Sequence, residues 1–227
     1  FPASLSATHF RYGTLSWDLV DNDTIRLKGA MGWNAGHGSF DQISDYGETS
    51  LSTFVGSVID MEDVTWGGGI PYDNITSSDM HHKVLSRSGS TTSDSVITQM
   101  GTYSSGWTEG LTHDYDNGTH IIYWGSSSRT SVHSDQSGNG GTWRNETMVR
   151  IGGDFVGNVS PVSAVPDTVS VQDNKTFSYQ VSATDANNDN LTYRWGTWDE
   201  FFGKSGTFVM PTEMTLSSSG LIEWDVR

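Results

Sequence analysis

The apolar residues of this chain recur at every second position, in runs too short and too often interrupted for a long helix, and that alternation restricts the fold to paired strands. Phe10 and Tyr12, then Leu15 and Trp17, alternate within residues 8–17, and the change of phase at Gly13 predicts a β-bulge there. Ile25 and Leu27 share one face of residues 24–30 while Arg26 and Lys28 take the other, and Asp21-Asn22-Asp23 is the turn that joins the two runs. Further strands are expected at 51–64, 95–103 and 120–124. The last is entered through Asp116-Asn117-Gly118, where Asn-Gly signals a hairpin. Clusters of Gly, Asn, Asp and Ser break the pattern roughly every ten residues, as in a sandwich or barrel.

Gly152-Gly153 to Pro166 marks a change of text. One strand ends at Met148-Val149-Arg150-Ile151, and a new series follows: 168–171, 176–184, 191–195, 213–216 and 221–226, with a long connection over 199–211. The expectation is an all-β chain of two β-sandwich domains in tandem, an amino-terminal module over 1–153 and a second over 154–227.

Composition narrows the setting. Hydrophobic residues are only 34% of the 227, but nine Trp, eight Tyr and nine Phe can fill a core. A formal charge of -15 repels phosphate backbones and anionic headgroups, so neither nucleic acid nor membrane insertion is expected; no apolar run reaches the length of a membrane span. The absence of cysteine removes disulfides, thiolate metal sites and cysteine nucleophiles together. The start, Phe1-Pro2-Ala3-Ser4, has neither a basic n-region nor an h-region, and the chain reads as a processed product or an internal fragment.

Seven of the eleven Asn begin N-x-[ST]: Asn22, Asn74, Asn117, Asn145, Asn158, Asn174 and Asn190. Ser and Thr total 57 of 227, so chance would give about three such sequons. The excess, spread from end to end, points to a secreted glycoprotein with covalent N-glycans; the alternative is a count inflated by a Ser/Thr/Asn-rich composition. Pro161, after Ser160, makes Asn158 the poorest acceptor.

The segments Ser160-Pro161-Val162, 177–185, Asp189-Asn190-Leu191-Thr192-Tyr193 and Leu216 to Gly220-Leu221-Ile222-Glu223-Trp224 resemble the cadherin-like and immunoglobulin-like repeats of extracellular modular proteins. The resemblance covers about the last 70 residues and implies a spacer or adhesion module. His9-Phe10-Arg11-Tyr12-Gly13-Thr14-Leu15-Ser16-Trp17 is similar to the opening of a β-rich module that precedes such repeats in large secreted proteins. A sandwich of this family would still need a strand after Leu221–Val226, which implies either that the fragment is cut there or that a strand from a neighbouring copy completes the sheet edge, head to tail.

Asp185, Asn187 and Asp189 alternate in an acidic loop and form the best calcium candidate, against the reading of an Asx-rich turn. Asp114 and Asp116 are a second, which the turn at Asn117 already explains. The seven His lack H-E-x-x-H spacing; His81 and His82 must face opposite ways on a strand, whereas His113 and His120 flank a turn and could approach across it. No Gly-x-Ser-x-Gly elbow occurs, and Gly203-Lys204-Ser205 has Trp198 where a phosphate loop needs its first Gly. Glu48, Glu62, Asp63 and Glu109 lie near aromatics, but nothing pairs them for glycoside hydrolysis. Trp33, Trp66, Trp107, Trp124 and Trp143 are either core residues, the preferred reading, or sugar-stacking platforms.

These features favour a non-enzymatic structural glycoprotein, extracellular or at the cell surface. It would be a subunit of a glycan-coated fibril or flagellar hair that polymerises with copies of itself and requires no cofactor. The alternative is a carbohydrate-binding or cell-adhesion module.

Overall fold

The computed structural model describes residues 10–34, 58–60, 65–67, 74–76, 80–88, 95–126, 143–166, 169–172, 175–202 and 213–226. It is an all-β protein. The strands are β1 (Phe10–Leu19), β2 (Thr24–Asn34), β3 (Val58–Asp60), β4 (Thr65–Gly67), β5 (Asn74–Thr76), β6 (His81–Arg87), β7 (Ser95–Tyr103), β8 (Trp107–Glu109), β9 (Leu111–Asp114), β10 (Gly118–Ser126) and β11 (Trp143–Ile151). After a 3-10 turn at Gly153–Phe155 come β12 (Val162–Ser163), β13 (Lys175–Gln180), β14 (Ala183–Thr184), helix α1 (Trp198–Phe202), β15 (Thr215–Leu216) and β16 (Leu221–Val226).

Two antiparallel sheets make the body. The larger has the order β1-β2-β7-β6-β3, with β8 also on β7 and β9 also on β2; the smaller is β11-β10-β4-β5. One core lies between them, because alternate residues of each strand face inward: Ile25, Leu27, Met31 and Trp33 from β2, Val96 and Met100 from β7, Ile122 and Trp124 from β10, Trp143, Val149 and Ile151 from β11. Fully burying a side chain such as Ile25 or Leu27 contributes about 2 kcal/mol. Aromatic rings join the two layers. Phe10 of the larger sheet stacks on Trp143 of the smaller at 3.7 Å between centroids, and Trp33 meets Trp124 edge-on at 5.6 Å.

Two expectations change in this body. The irregularity in β1 falls between Phe10 and Tyr12, so the bulge is at Arg11 and pairing runs unbroken through Gly13. Gly13 serves close approach instead: a Cβ there would lie 2.0 Å from Asn145 Nδ2 and 2.9 Å from the Met31 sulfur. The Asn117-Gly118 turn does not close a hairpin either. β9 pairs with β2 in one sheet and β10 with β11 in the other, from Gly118↔Ile151 to Ser126↔Trp143, so the turn hands the chain across the core. Burial of Tyr115 just before it, with its N–H donating to Asp23 O at 2.8 Å, draws the chain inward where a hairpin would have turned back.

The remaining strands form a three-stranded sheet, β13-β16-β15, and a two-stranded one, β12-β14. The expected strand at 176–184 is thus two strands in separate sheets, and 191–195 is irregular, held to Ser218 O by the Tyr193 N–H. The final strand, expected to lie beside an open edge, is the middle one: β16 pairs with β13 on one side and β15 on the other, and β13 is the long edge. Of the expected 51–64 strand, only β3 falls within the described residues.

Contacts with β1 and β11 tie this part to the body. Ser160 lies against β1, and α1 packs on β11. Helix α1 opens with a reciprocal cap, in which Thr197 N–H donates to Glu200 Oε2 at 2.6 Å and Glu200 N–H donates to Thr197 Oγ1 at 3.3 Å. Arg194 grips the same carboxylate with both terminal nitrogens, and its guanidinium, ahead of the Thr197 amide and hydroxyl, holds the Glu200 carboxyl down at about 2.

Candidate functional site

The acidic loop is organised from within. Asp185 Oδ1 accepts from the Asn187 N–H at 2.8 Å and the Asp189 N–H at 3.1 Å, and Asn188 takes a left-handed φ of 61°. Asn187 turns to the linker: its Nδ2 donates to Gly157 O at 2.9 Å and its Oδ1 accepts from the Val159 N–H at 3.0 Å. The three predicted ligands are therefore brought together as an Asx turn tethered to the linker. Among the described residues no group of three His, Cys, Asp or Glu comes together to hold a metal ion. Asp114 Oδ1 accepts from Thr24 Oγ1 at 2.7 Å, which secures β9 to β2.

The histidines take structural places. His81 is half-buried and His82 fully buried, on opposite faces of β6 as the strand period requires. Thr98 Oγ1 accepts from Trp33 Nε1 at 3.0 Å and lies 3.0 Å from His82 Nδ1. Burial, with His81 adding to it, depresses His82 to about 3, so it is neutral near pH 7. His82 Nε2 and Trp124 Nε1 have no hydrogen-bond partner among the described residues, and their rings lie 4.9 Å apart. His113 and His120 do converge across the turn, but with the Tyr115 ring between them, at 4.6 Å and 4.3 Å between centroids. His113 meets Tyr115 edge-on and His120 stacks on it, while His120 Nε2 bonds Asp116 O at 2.8 Å.

The sugar-platform reading loses its main residues. Trp33, Trp124 and Trp143 are at most 3% exposed and belong to the core, and Trp107 lies half-buried over Gly101. The side chain of Trp66, like Glu48, Glu62 and Asp63, lies outside the described residues. Glu109 is exposed on β8.

The sequons fall into distinct environments. Asn22 in the β1–β2 turn, Asn117 and Asn190 are exposed. Asn158 is half-buried, and the Ser160 hydroxyl of its sequon lies under β1. Asn145 is on the inward face of β11, between Trp143 and Val149 in the period of two, with its Nδ2 3.9 Å from the Met31 sulfur and against Gly13. Asn174 and the Asn74 side chain lie outside the described residues, although β5 includes Asn74.

The sequence patterns did not reveal how little of the carboxyl-terminal sheet is covered. Phe177 and Tyr179 of β13 stand opposite Trp224 and Ile222 of β16, and Leu216 of β15 opposite Ile222, so one face of the sheet is apolar. All five are only half-buried, and among the described residues every member of the buried hydrophobic core precedes residue 152. The alternation 177/179 and 222/224 was visible in the sequence, but its cover was not. Compared with family models, with curated proteins and with solved structures, the chain finds no match in any of the three.

Proposed function

We propose that this chain is a non-enzymatic structural subunit of an extracellular, N-glycosylated filament, a fibril or flagellar hair, assembled head to tail from copies of itself. The observation that carries the reading is the carboxyl-terminal sheet: three strands, a long edge at β13 that pairs with β16 alone among the described residues, and an apolar face that the described chain leaves half-covered. Such a face beside an unpaired edge favours strand addition, and a joint between different surfaces does not close on itself. The exposed acceptors Asn22, Asn117 and Asn190 would carry glycans on the outside, and the subunit would serve as a cadherin-like or immunoglobulin-like spacer. Asp185, Asn187 and Asp189 serve this subunit as a brace for the linker, with no bound ion required.

The test is assembly itself. Light scattering across a wide concentration range, followed by electron microscopy, is expected to show particles that lengthen with concentration. A monodisperse monomer at every concentration would sink the proposal.

A further inference from the structure

We infer that His82 of β6 and Trp124 of β10 hold one buried water between them, at a site in the core that takes a neutral hydrogen-bond acceptor and links the larger sheet to the smaller. The hydrogens around Thr98, which is fully buried, assign it. Trp33 Nε1 can only donate, so Thr98 Oγ1 accepts its hydrogen at 3.0 Å. The Thr98 hydroxyl hydrogen then needs an acceptor of its own, and His82 Nδ1 lies 3.0 Å away. His82 is neutral, since burial, ahead of His81, holds its pKa at about 3. With Nδ1 accepting, the single hydrogen of the neutral imidazole sits on Nε2. The opposite tautomer would send two hydrogens to one Oγ1 and leave the hydroxyl hydrogen buried without an acceptor.

His82 Nε2 and Trp124 Nε1 are thus two donors on neighbouring rings. Both side chains are at most 1% exposed, and neither nitrogen has a hydrogen-bond partner among the described residues. Two donors cannot satisfy each other, and a buried N–H left unmet is rare and destabilising. The two rings also stand apart. Phe10 and Trp143 lie flat on each other at 3.7 Å between centroids and 7° between planes. His82 and Trp124 are 4.9 Å apart and 31° from parallel, a wedge rather than a flat stack.

The surroundings select the occupant. Trp33 stands edge-on to His82 at 6.4 Å, and Trp33 and Trp143 stand edge-on to Trp124 at 5.6 Å and 4.8 Å. Among these rings and beside a neutral imidazole, an anion would be a buried charge without compensation, and two N–H donors repel a metal ion. An apolar guest would leave both hydrogens unmet. A water oxygen is neutral, offers a lone pair to each donor, and can turn its own hydrogens onto the faces of neighbouring rings. Strand β6 belongs to the larger sheet and β10 to the smaller, so this water joins the layers by hydrogen bonds where Phe10 and Trp143 join them by contact.

Proton–nitrogen NMR of the full chain tests this, in solution or, for assembled material, by magic-angle spinning. Near pH 7, His82 is expected to be protonated at Nε2 and bare at Nδ1. The hydrogens on His82 Nε2 and Trp124 Nε1 are both expected to show cross-relaxation to one long-lived water. Trp124→Phe keeps an aromatic ring and removes one donor, so the His82–water signal is expected to lose most of its intensity while the tautomer stays the same. Thr98→Ser keeps the hydroxyl and is expected to leave the tautomer and the water in place. A hydrogen on Nδ1, or a Trp124 hydrogen with no water beside it, would overturn the site, and so would an unchanged His82–water signal in Trp124→Phe. The tautomer and the water are both read on the parent chain, so a variant that fails to fold leaves the decision with those two signals.

Discussion

Ser160 completes the backbone of Trp17: the Ser160 N–H donates to Trp17 O at 3.0 Å, and the Trp17 N–H donates to Ser160 Oγ at 2.6 Å. Both residues are buried, 143 positions apart in the chain, so the first residues after the linker act as a short extension of the larger sheet's edge. On the other side of β1, Trp17 Nε1 donates to Met148 O at 2.9 Å. Trp17 thus joins the larger sheet, the smaller sheet and the linker.

Ser160→Ala is expected to destabilise the fold by about 1–3 kcal/mol, because it leaves the buried Trp17 N–H without its acceptor. In a chain of this size that lowers the melting temperature by several degrees. Differential scanning calorimetry reads the change, and an unaltered melt would show that the contact is dispensable.

Gly13→Ala places a methyl group 2.0 Å from Asn145 Nδ2 and is expected to cost about 1–3 kcal/mol. Asn145→Gly on the same background is expected to recover most of the loss, and the double-mutant cycle measures the coupling. Site-by-site glycan mapping by mass spectrometry is expected to find Asn22, Asn117 and Asn190 occupied and Asn145 bare. An occupied Asn145 in folded material contradicts the placement of its amide.

His82 sets a pH dependence with a definite sign. Its folded value of about 3 is below the ordinary 6.5, so above pH 6.5 the imidazole is neutral in both states and its contribution is complete. As pH falls from 6.5 toward 3, the unfolded chain binds a proton that the folded chain refuses, and stability declines by about 1.4 kcal/mol per pH unit. Subtracting the melting curve of His82→Phe across this window is expected to remove that slope; parallel curves would refute the assignment.

Asn187→Ala removes both bonds that hold the linker to the 185–189 loop. The body should melt as before, since none of its core residues is touched, while protease cleavage within 152–160 should accelerate several-fold as local opening becomes easier. Calcium or a chelator should leave the melting temperature of the parent chain unchanged; a rise with calcium would reinstate the loop as an ion site.

The alternation of Ile25, Leu27, Met31 and Trp33, with turn residues between such runs, is enough to dictate strands, because a period of two leaves a helix no continuous apolar side. Strand β7, residues 95–103, and strand β16, residues 221–226, follow from that rule alone. The opposite facing of His81 and His82 follows from it too. Which strands become neighbours is not a local property. Asn117-Gly118 has the chemistry of a hairpin, yet burial of Tyr115 between His113 and His120 takes the chain to the other sheet, and β10 pairs instead with a strand some 20 residues on. The same limit applies to the acceptors. Seven sequons are identical to a pattern of three letters, but only the packing of β11 against β1 turns the Asn145 amide inward against Gly13 and Met31 while Asn22 stays in water. Local sequence determined the strands and their apolar faces, since backbone geometry and side-chain polarity act over a few residues; sheet membership, burial and the half-covered face of β13 and β16 were decided by tertiary structure, since each depends on what arrives from a distant part of the chain.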